Sequence, residues 1–292
     1  MKPPDATTRV SFANILYATD FSPAAEAALP YALAIAARYD SKVFAVHVVA
    51  PDSYTFVPSS VSAVDGQTKA AIARLEGQLK AVPHEMILQQ GETWPVISGV
   101  VKEKDIDLLV LGTEGRTGLE KYLLGSTAEA IFRQANCPVL TVGPHTSKDV
   151  ERLSQMREIV YATDFTPESF AALPYAVSLA QENAAHLTLL HVIDRPKAHN
   201  IELLNHVVDT AVRVLGAVLP PEAELWCKPE LLVEYGHPAE TILQIADAQK
   251  ADLIVLGVRR ADGRIGVATH VTRPTAHKVV SHAGCPVLTV RA

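Results

Sequence analysis

The chain has 292 residues, which at roughly 100–200 residues per domain points to two domains rather than one core. Hydrophobic residues make up 48% of it and charged residues 20%, an ordinary globular composition that excludes long disorder and collagen-like repeats. The 26 Lys and Arg against 32 Asp and Glu leave a net charge of −6, the wrong sign for wrapping nucleic acid or an anionic membrane by bulk electrostatics.

In chain order, Met1 to Asp20 carries Asp5, Arg9 and Asp20 and lacks the unbroken apolar core of a secretory signal, so the expected location is the cytoplasm. A β-rich run at Ile15–Thr19 predicts the first strand. Ser22 followed by Pro23 then supplies an N-cap hydroxyl and a first-turn proline, the start signal of a helix. Within that helix lies the longest apolar stretch, Ala27 to Ala37, interrupted by Pro30 and far short of the roughly 18 residues a membrane span needs. Further strands are predicted at Lys42–Val49, Glu85–Gln89, Leu108–Gly112 and Val139–Val142, with helices between them, the pattern of parallel βαβ units. The Ser-, Val- and Pro-rich segment Pro51 to Gln67 lengthens the first half and has the character of a flap.

The second half repeats the first. Asn14–Val49 and Glu158–Ile193 align without gaps at an offset of 144, with 16 identities in 36 positions. Tyr17-Ala18-Thr19-Asp20-Phe21-Ser22-Pro23 answers to Tyr161-Ala162-Thr163-Asp164-Phe165-Thr166-Pro167, and both copies run on to Leu-Pro-Tyr-Ala and His-Val. Gly91–Gly112 matches Gly236–Gly257 at an offset of 145, and Cys137-Pro138-Val139-Leu140-Thr141-Val142 returns as Cys285-Pro286-Val287-Leu288-Thr289-Val290. A polar run between Gly143 and Gln155 marks the linker, giving domains 1–145 and 155–292. In the second domain Ile201, Leu204, Val208, Ala211, Leu215 and Val218 step by three and four, an amphipathic helix whose stripe belongs to the core. The fold class is therefore α/β, two tandem doubly wound domains of Rossmann-like character.

In such a sheet ligands bind beyond the carboxyl ends of the strands, where the strand order reverses. The loop after the fourth strand reads Leu111-Gly112-Thr113-Glu114-Gly115-Arg116 and continues to Gly125-Ser126-Thr127 at a helix start, a G-x2-G-x9-G-S spacing. Glycines let backbone N–H groups approach an anion, a helix N-terminus adds unsatisfied donors, and the Ser126 and Thr127 hydroxyls add more, which together make a phosphate cradle. No Gly-Lys-Ser/Thr follows the glycines and GxGxxG is absent, so neither a Walker A loop nor a dinucleotide fingerprint is read. Read structurally, the same glycines shape a loop and cap a helix. Asp20, at the end of the first strand, can face the Gly112 loop and accept hydrogen bonds from an adenine amine or ribose hydroxyls; read structurally, it helps start the following helix.

These motifs together resemble the universal stress protein family, and the likeness covers nearly the whole chain as two copies. The resemblance implies five parallel strands per domain and, in the nucleotide-binding branch, ATP, usually with a divalent metal such as Mg2+. Carried over by position, it implies that Ala18, Thr19 and Asp20 meet adenine and ribose, Val48 the base, Leu111 and Gly112 the nucleotide, and Gly115, Gly125, Ser126 and Thr127 the phosphates. It implies pairing of the two domains and a further homodimer. The expected role is a cytoplasmic ATP-binding stress-response regulator that acts through a protein partner. A weak metal-dependent ATPase or phosphotransferase and a nucleotide-free interaction module stand as alternatives. Efficient phosphoryl transfer is disfavoured, because the nominated site has no lysine for the phosphates and no paired base to orient water.

The second domain departs from the motif. Ala162, Thr163, Asp164, Val192, Leu256 and Gly257 keep the adenosine side. Arg260 replaces Gly115, and Arg273-Pro274 replaces Gly125-Ser126 in a loop three residues longer. Loss or change of ATP binding is expected there, with Arg259, Arg260, Arg264 and Arg273 read as a solvated basic loop. His47 and His191 are expected to be packed or hydrogen-bonded rather than catalytic. His270, His277 and His282 lack the spacing of a zinc site, and the three cysteines, with no CxxC, are expected to be reduced and buried.

Overall fold

The computed structural model describes residues 9–49, 66–113, 124–146, 156–194, 201–221, 223–225, 227–259 and 275–291. The chain divides into two compact units, residues 11–142 and the residues from 143 onward, the second joined by Val10, whose N–H donates to Ser178 Oγ at 2.8 Å.

In the first unit the order is β1 (Asn14–Ala18), α1 (Pro23–Tyr39), β2 (Lys42–Val49), α2 (Gly66–Leu79), β3 (His84–Gln90), α3 (Thr93–Glu103), β4 (Leu108–Gly112), α4 (Ser126–Gln134) and β5 (Val139–Val142). The strands lie side by side as β3-β2-β1-β4-β5, with each neighbouring pair parallel. Apart from β3, which is polar at both ends and only half-buried, these strands are largely apolar runs because helices cover both faces of such a sheet, and Ile15, Leu16, Leu109 and Val110 are all buried. The first strand ends at Ala18, one residue before the expected Thr19, and the third is extended at both ends relative to Glu85–Gln89. Of the segment Pro51–Gln67, only Gly66 and Gln67, which open α2, lie within the described residues.

The second unit repeats the plan with β6 (Glu158–Thr163), α5 (Pro167–Asn183), β7 (His186–Ile193), α6 (Ile201–Val218), β8 (Lys228–Tyr235), α7 (Pro238–Ala248), β9 (Leu253–Val258), α8 (Thr275–His282) and β10 (Val287–Arg291). Its parallel order is β10-β9-β6-β7-β8. The stripe predicted on α6 turns inward, with Ala211, Leu215 and Val218 buried and Leu204 and Val208 half-buried.

In each unit the strand order reverses between the first strand and its fourth-strand neighbour: β1 lies beside both β2 and β4, and β6 beside both β7 and β9. Register pairs Tyr17 with Val110 and Tyr161 with Val255, so the loops that follow leave the sheet together at this switch point.

Candidate functional site

The loop from β1 to α1 is built by side chains that bond their own backbone. Thr19 N–H continues the ladder to Val46 O at 3.0 Å, while Thr19 Oγ1 accepts from Phe21 N at 3.0 Å. Asp20 Oδ1 accepts from Ser22 N at 2.9 Å, and Ser22 Oγ caps the helix by accepting from Ala25 N at 3.2 Å. Between Asp20 and Ser22, Phe21 has φ of 61°, a left-handed conformation that a bulky aromatic residue adopts only when its surroundings impose it. Those surroundings include His47, which is 7% exposed: its Nδ1–H donates to Thr19 O at 2.8 Å, and its ring lies 4.5 Å from the Phe21 ring. A carbonyl only accepts, so this bond fixes the tautomer with hydrogen on Nδ1. Both structural roles expected for Asp20 and His47 are thus filled. Neither position was singled out in the sequence as part of one device, although Phe21 and His47 both recur in the second copy.

The opposite wall is the end of β4. Leu111 is buried and Gly112 half-buried. A Cβ on Gly112 would stand 2.4 Å from Ala24 O and 2.9 Å from Ala25 N, so the first turn of α1 rests directly on this glycine. Gly112 is required by that close approach, a reason independent of any ligand. Thr113 follows, with its N–H donating to Val142 O at 3.0 Å and its carbonyl accepting from Gly125 N at 2.8 Å. That second bond ties the start of α4 to the end of β4. Gly125 is the N-cap of α4 and offers no capping side chain, and the Ser126, Thr127 and Ala128 N–H groups have no carbonyl partner within the helix. The Ser126 side chain is exposed and Thr127 half-exposed.

The structure therefore gathers Thr19, Asp20, Gly112, Gly125 and the first turn of α4 around one strand reversal, with Ala18 buried beneath them. Val48 stands half-buried near the end of β2, whose neighbour in the sheet is β1. Gly115 lies outside the described residues. One further group was missed in the sequence: Thr113 is 2% exposed, and its hydroxyl finds no hydrogen-bond partner among the described residues. The position equivalent to Thr113 at the offset of 145 is Val258, also buried, the same shape with a methyl in place of the hydroxyl.

The second unit reproduces the loop. His191 Nδ1–H donates to Thr163 O at 2.8 Å, Phe165 N donates to Thr163 Oγ1 at 3.0 Å, and Phe165 has φ of 62° with its ring 4.1 Å from that of His191. Asp164 Oδ1 accepts from Thr166 N at 3.1 Å and from Thr166 Oγ1 at 2.5 Å. Partial desolvation pushes the Asp164 carboxyl up, but the Thr166 hydrogen bonds, the Ser169 side chain and the charge of Arg259 outweigh it and hold the group below its ordinary value. Gly257 is as crowded as Gly112, since a Cβ there would stand 2.1 Å from Glu168 O. Arg260, Arg264, Arg273 and Pro274 lie outside the described residues.

Tyr17 and Tyr161 tie the strands beneath both sites to the helices, donating to Ala25 O at 2.7 Å and Ser169 O at 2.9 Å. Burial pushes the Tyr161 phenol up to about 12 and raises Tyr17 as well, so both hold their protons and donate. All three cysteines are free and buried, and burial pushes the Cys137 and Cys227 thiols up to about 11. His277 is buried in α8, His282 Nδ1–H donates to Lys278 O at 2.8 Å, and His270 lies outside the described residues. Among the described residues no group of three or more His, Cys, Asp or Glu side chains is placed to hold a metal, and no helix is long and apolar enough to cross a membrane.

Residues 11–143 and 156–291 each match the model of the universal stress protein family. A universal stress protein of Methanocaldococcus jannaschii is 33% identical over 147 residues, spanning 45% of this chain and 82% of its own. One from Mycolicibacterium smegmatis is 26% identical over 297 residues, 95% of this chain and 97% of the relative. The crystal structure of a universal stress protein from Archaeoglobus fulgidus superposes with a TM-score of 0.67 at 19% identity, covering 95% of this chain and 98% of that one, and so shares the two-domain fold.

Proposed function

The chain belongs to the universal stress protein family, and from that premise we propose that its N-terminal domain, within residues 1–145, is an ATP site that regulates by binding rather than by turnover. The observation that carries this reading is the convergence at the strand reversal. The first turn of α1 rests on Gly112, and Gly125 N donates to Thr113 O at 2.8 Å, which puts the Asp20 loop and the start of α4 at the same carboxyl edge of the sheet.

Each end of the nucleotide has its chemistry there. Asp20 carries carboxylate oxygens suited to ribose hydroxyls or the adenine amine, with Ala18, Thr19, Val48 and Leu111 as the surrounding surface. The N–H groups at the start of α4, the positive end of its dipole and the Ser126 and Thr127 hydroxyls suit phosphate oxygens, and Gly125, like Gly115 in the sequence, carries no side chain to obstruct their approach. Mg2+ is a hard cation that takes oxygen ligands. Among the described residues Ser126 and Thr127 carry hydroxyl oxygens at the phosphate end that would suit it, and the phosphates would supply the rest. The second domain, residues 155–292, keeps Asp164 in the same pose but lacks the second and third glycines and the Ser of the cradle, so it is proposed as a degenerate partner that does not hold ATP phosphates. The proposed setting is the cytoplasm, with the nucleotide state read by another protein or by a second copy of the chain.

Calorimetric titration of the nucleotide-stripped full chain with ATP and Mg2+, beside a Gly125→Arg variant, tests this. Binding of about one ATP per chain, lost in the variant, is the expected result. No binding by the wild type overturns it and leaves the glycine loop a structural element.

A further inference from the structure

We infer that His47 is a positioning residue of the N-terminal site, holding the Thr19–Ser22 loop in the one conformation that presents Asp20. The inference rests on the ATP reading above and goes beyond it by naming a residue outside the nominated ATP contacts.

The loop faces a conformational difficulty at Phe21. Its φ of 61° is disfavoured for a residue with a branched bulky side chain, by an amount of the order that local hydrogen bonds must offset. Two local bonds favour it, Phe21 N to Thr19 Oγ1 at 3.0 Å and Ser22 N to Asp20 Oδ1 at 2.9 Å. Both are made within four consecutive residues, so they shape the turn without fixing it to the rest of the domain. The backbone bond of Thr19 N to Val46 O at 3.0 Å ties only the entry of the loop to β2, and His47 adds the side-chain hold that reaches past Asp20. Its Nδ1–H takes the Thr19 carbonyl at 2.8 Å, which is the last backbone acceptor before Asp20, and its ring receives the Phe21 ring at 4.5 Å, the first side chain after Asp20. One imidazole therefore grips the residue on either side of the carboxylate. His47 is 7% exposed and sits on a fully paired strand, so the grip is made from a rigid element.

The duplication gives an independent copy of the observation. His191, Thr163 and Phe165 repeat every contact, with the same 2.8 Å bond, φ of 62° and a ring separation of 4.1 Å. The surrounding strand residues differ between the copies, Ala45 and Val46 against Leu189 and Leu190, yet the imidazole and the phenyl keep their relation. A histidine kept only to fill space has no need of a donor at one nitrogen and a ring face at the same time. Both features are required of a side chain that holds Asp20 and Asp164 on a fixed bearing.

The test is calorimetric ATP titration, with thermal melting, of the nucleotide-stripped full chain carrying His47→Leu, His47→Asn, Phe21→Leu or His191→Leu. Asparagine places an N–H near the position of Nδ1 and restores the bond to Thr19, whereas leucine cannot donate. His47→Leu is expected to weaken ATP binding about tenfold and His47→Asn no more than about threefold, with His191→Leu binding ATP like the wild type. Phe21→Leu, which removes the other half of the grip, is expected to weaken binding in the same range and keeps the test decisive if His47→Leu does not fold. Wild-type affinity in His47→Leu or in Phe21→Leu, equal loss in His47→Leu and His47→Asn, or a comparable loss in His191→Leu overturns the inference. If the wild type itself binds no nucleotide, the ATP reading falls, and the inference falls with it for that separate reason.

Discussion

A side chain on Gly112 would bring its Cβ within 2.4 Å of the carbonyl oxygen of Ala24, so the last residue of β4 and the first turn of α1 are in contact backbone to backbone. Gly257 stands in the same relation to Glu168, at 2.1 Å. A methyl in either place has to push a helix off the sheet, while Gly125, with φ of −57°, sits in a conformation open to any residue.

Gly112→Ala and Gly257→Ala are accordingly expected to destabilise the chain by about 1–3 kcal/mol each in urea unfolding. Gly125→Ala is expected to change stability by a few tenths to about 1 kcal/mol. Equal, small effects at all three positions would show that α1 and α5 yield to the added methyl.

Much of this was visible beforehand and some was not. The strands Lys42–Val49, Leu108–Gly112 and Val139–Val142 match the expected bounds because a parallel strand buried on both faces is written as an unbroken apolar run. Ser22 and Thr166 cap their helices as their position before proline implies. That Asp20 bonds Ser22 N was not separable in the sequence from a ligand role, because a carboxylate before a helix reads the same whether it serves the turn or a ligand. Gly112 was read for its room toward a nucleotide. Its tightest neighbour is a helix backbone, and a steric demand of that kind arises only from packing between distant segments.

Thr113 and Val258 offer a substitution already tried by the duplication. The Thr113 hydroxyl is buried without a partner among the described residues, an arrangement that costs about 1–3 kcal/mol when no group satisfies it. Thr113→Val in the nucleotide-stripped chain is therefore expected to raise stability by about 1 kcal/mol. A loss of stability on chemical denaturation would show that the hydroxyl is bonded in solution.

Acid sensitivity follows from Asp164. Its folded carboxyl titrates below its ordinary value, so the stabilisation from the Thr166 bonds and the Arg259 charge is present above the unfolded carboxylate pKa of about 3.9. It is lost as pH falls through the lower folded value. Asp164→Asn is expected to lower Tm by about 1–2 °C at pH 7, a small shift because the site is partly solvated, and the gap is expected to close toward pH 3. A gap that persists unchanged at pH 3 would assign the effect to something other than ionisation.

The Val10 N–H bond to Ser178 bears on how the chain can be dissected. Ser178 Oγ accepts from Val10 N at 2.8 Å and donates its own O–H to Glu182 Oε1 at 3.0 Å, in a side chain with no solvent exposure. A fragment cut at the linker near residue 150 would carry the second unit without its Val10 donor, while the first fragment would keep a tail belonging to the other half. The primary sequence is duplicated in tandem, but the second compact unit is not contiguous along it. Transposing residues 9–10 to the start of the second copy, rather than plain scission, is the manipulation that would give the second half its Val10 donor.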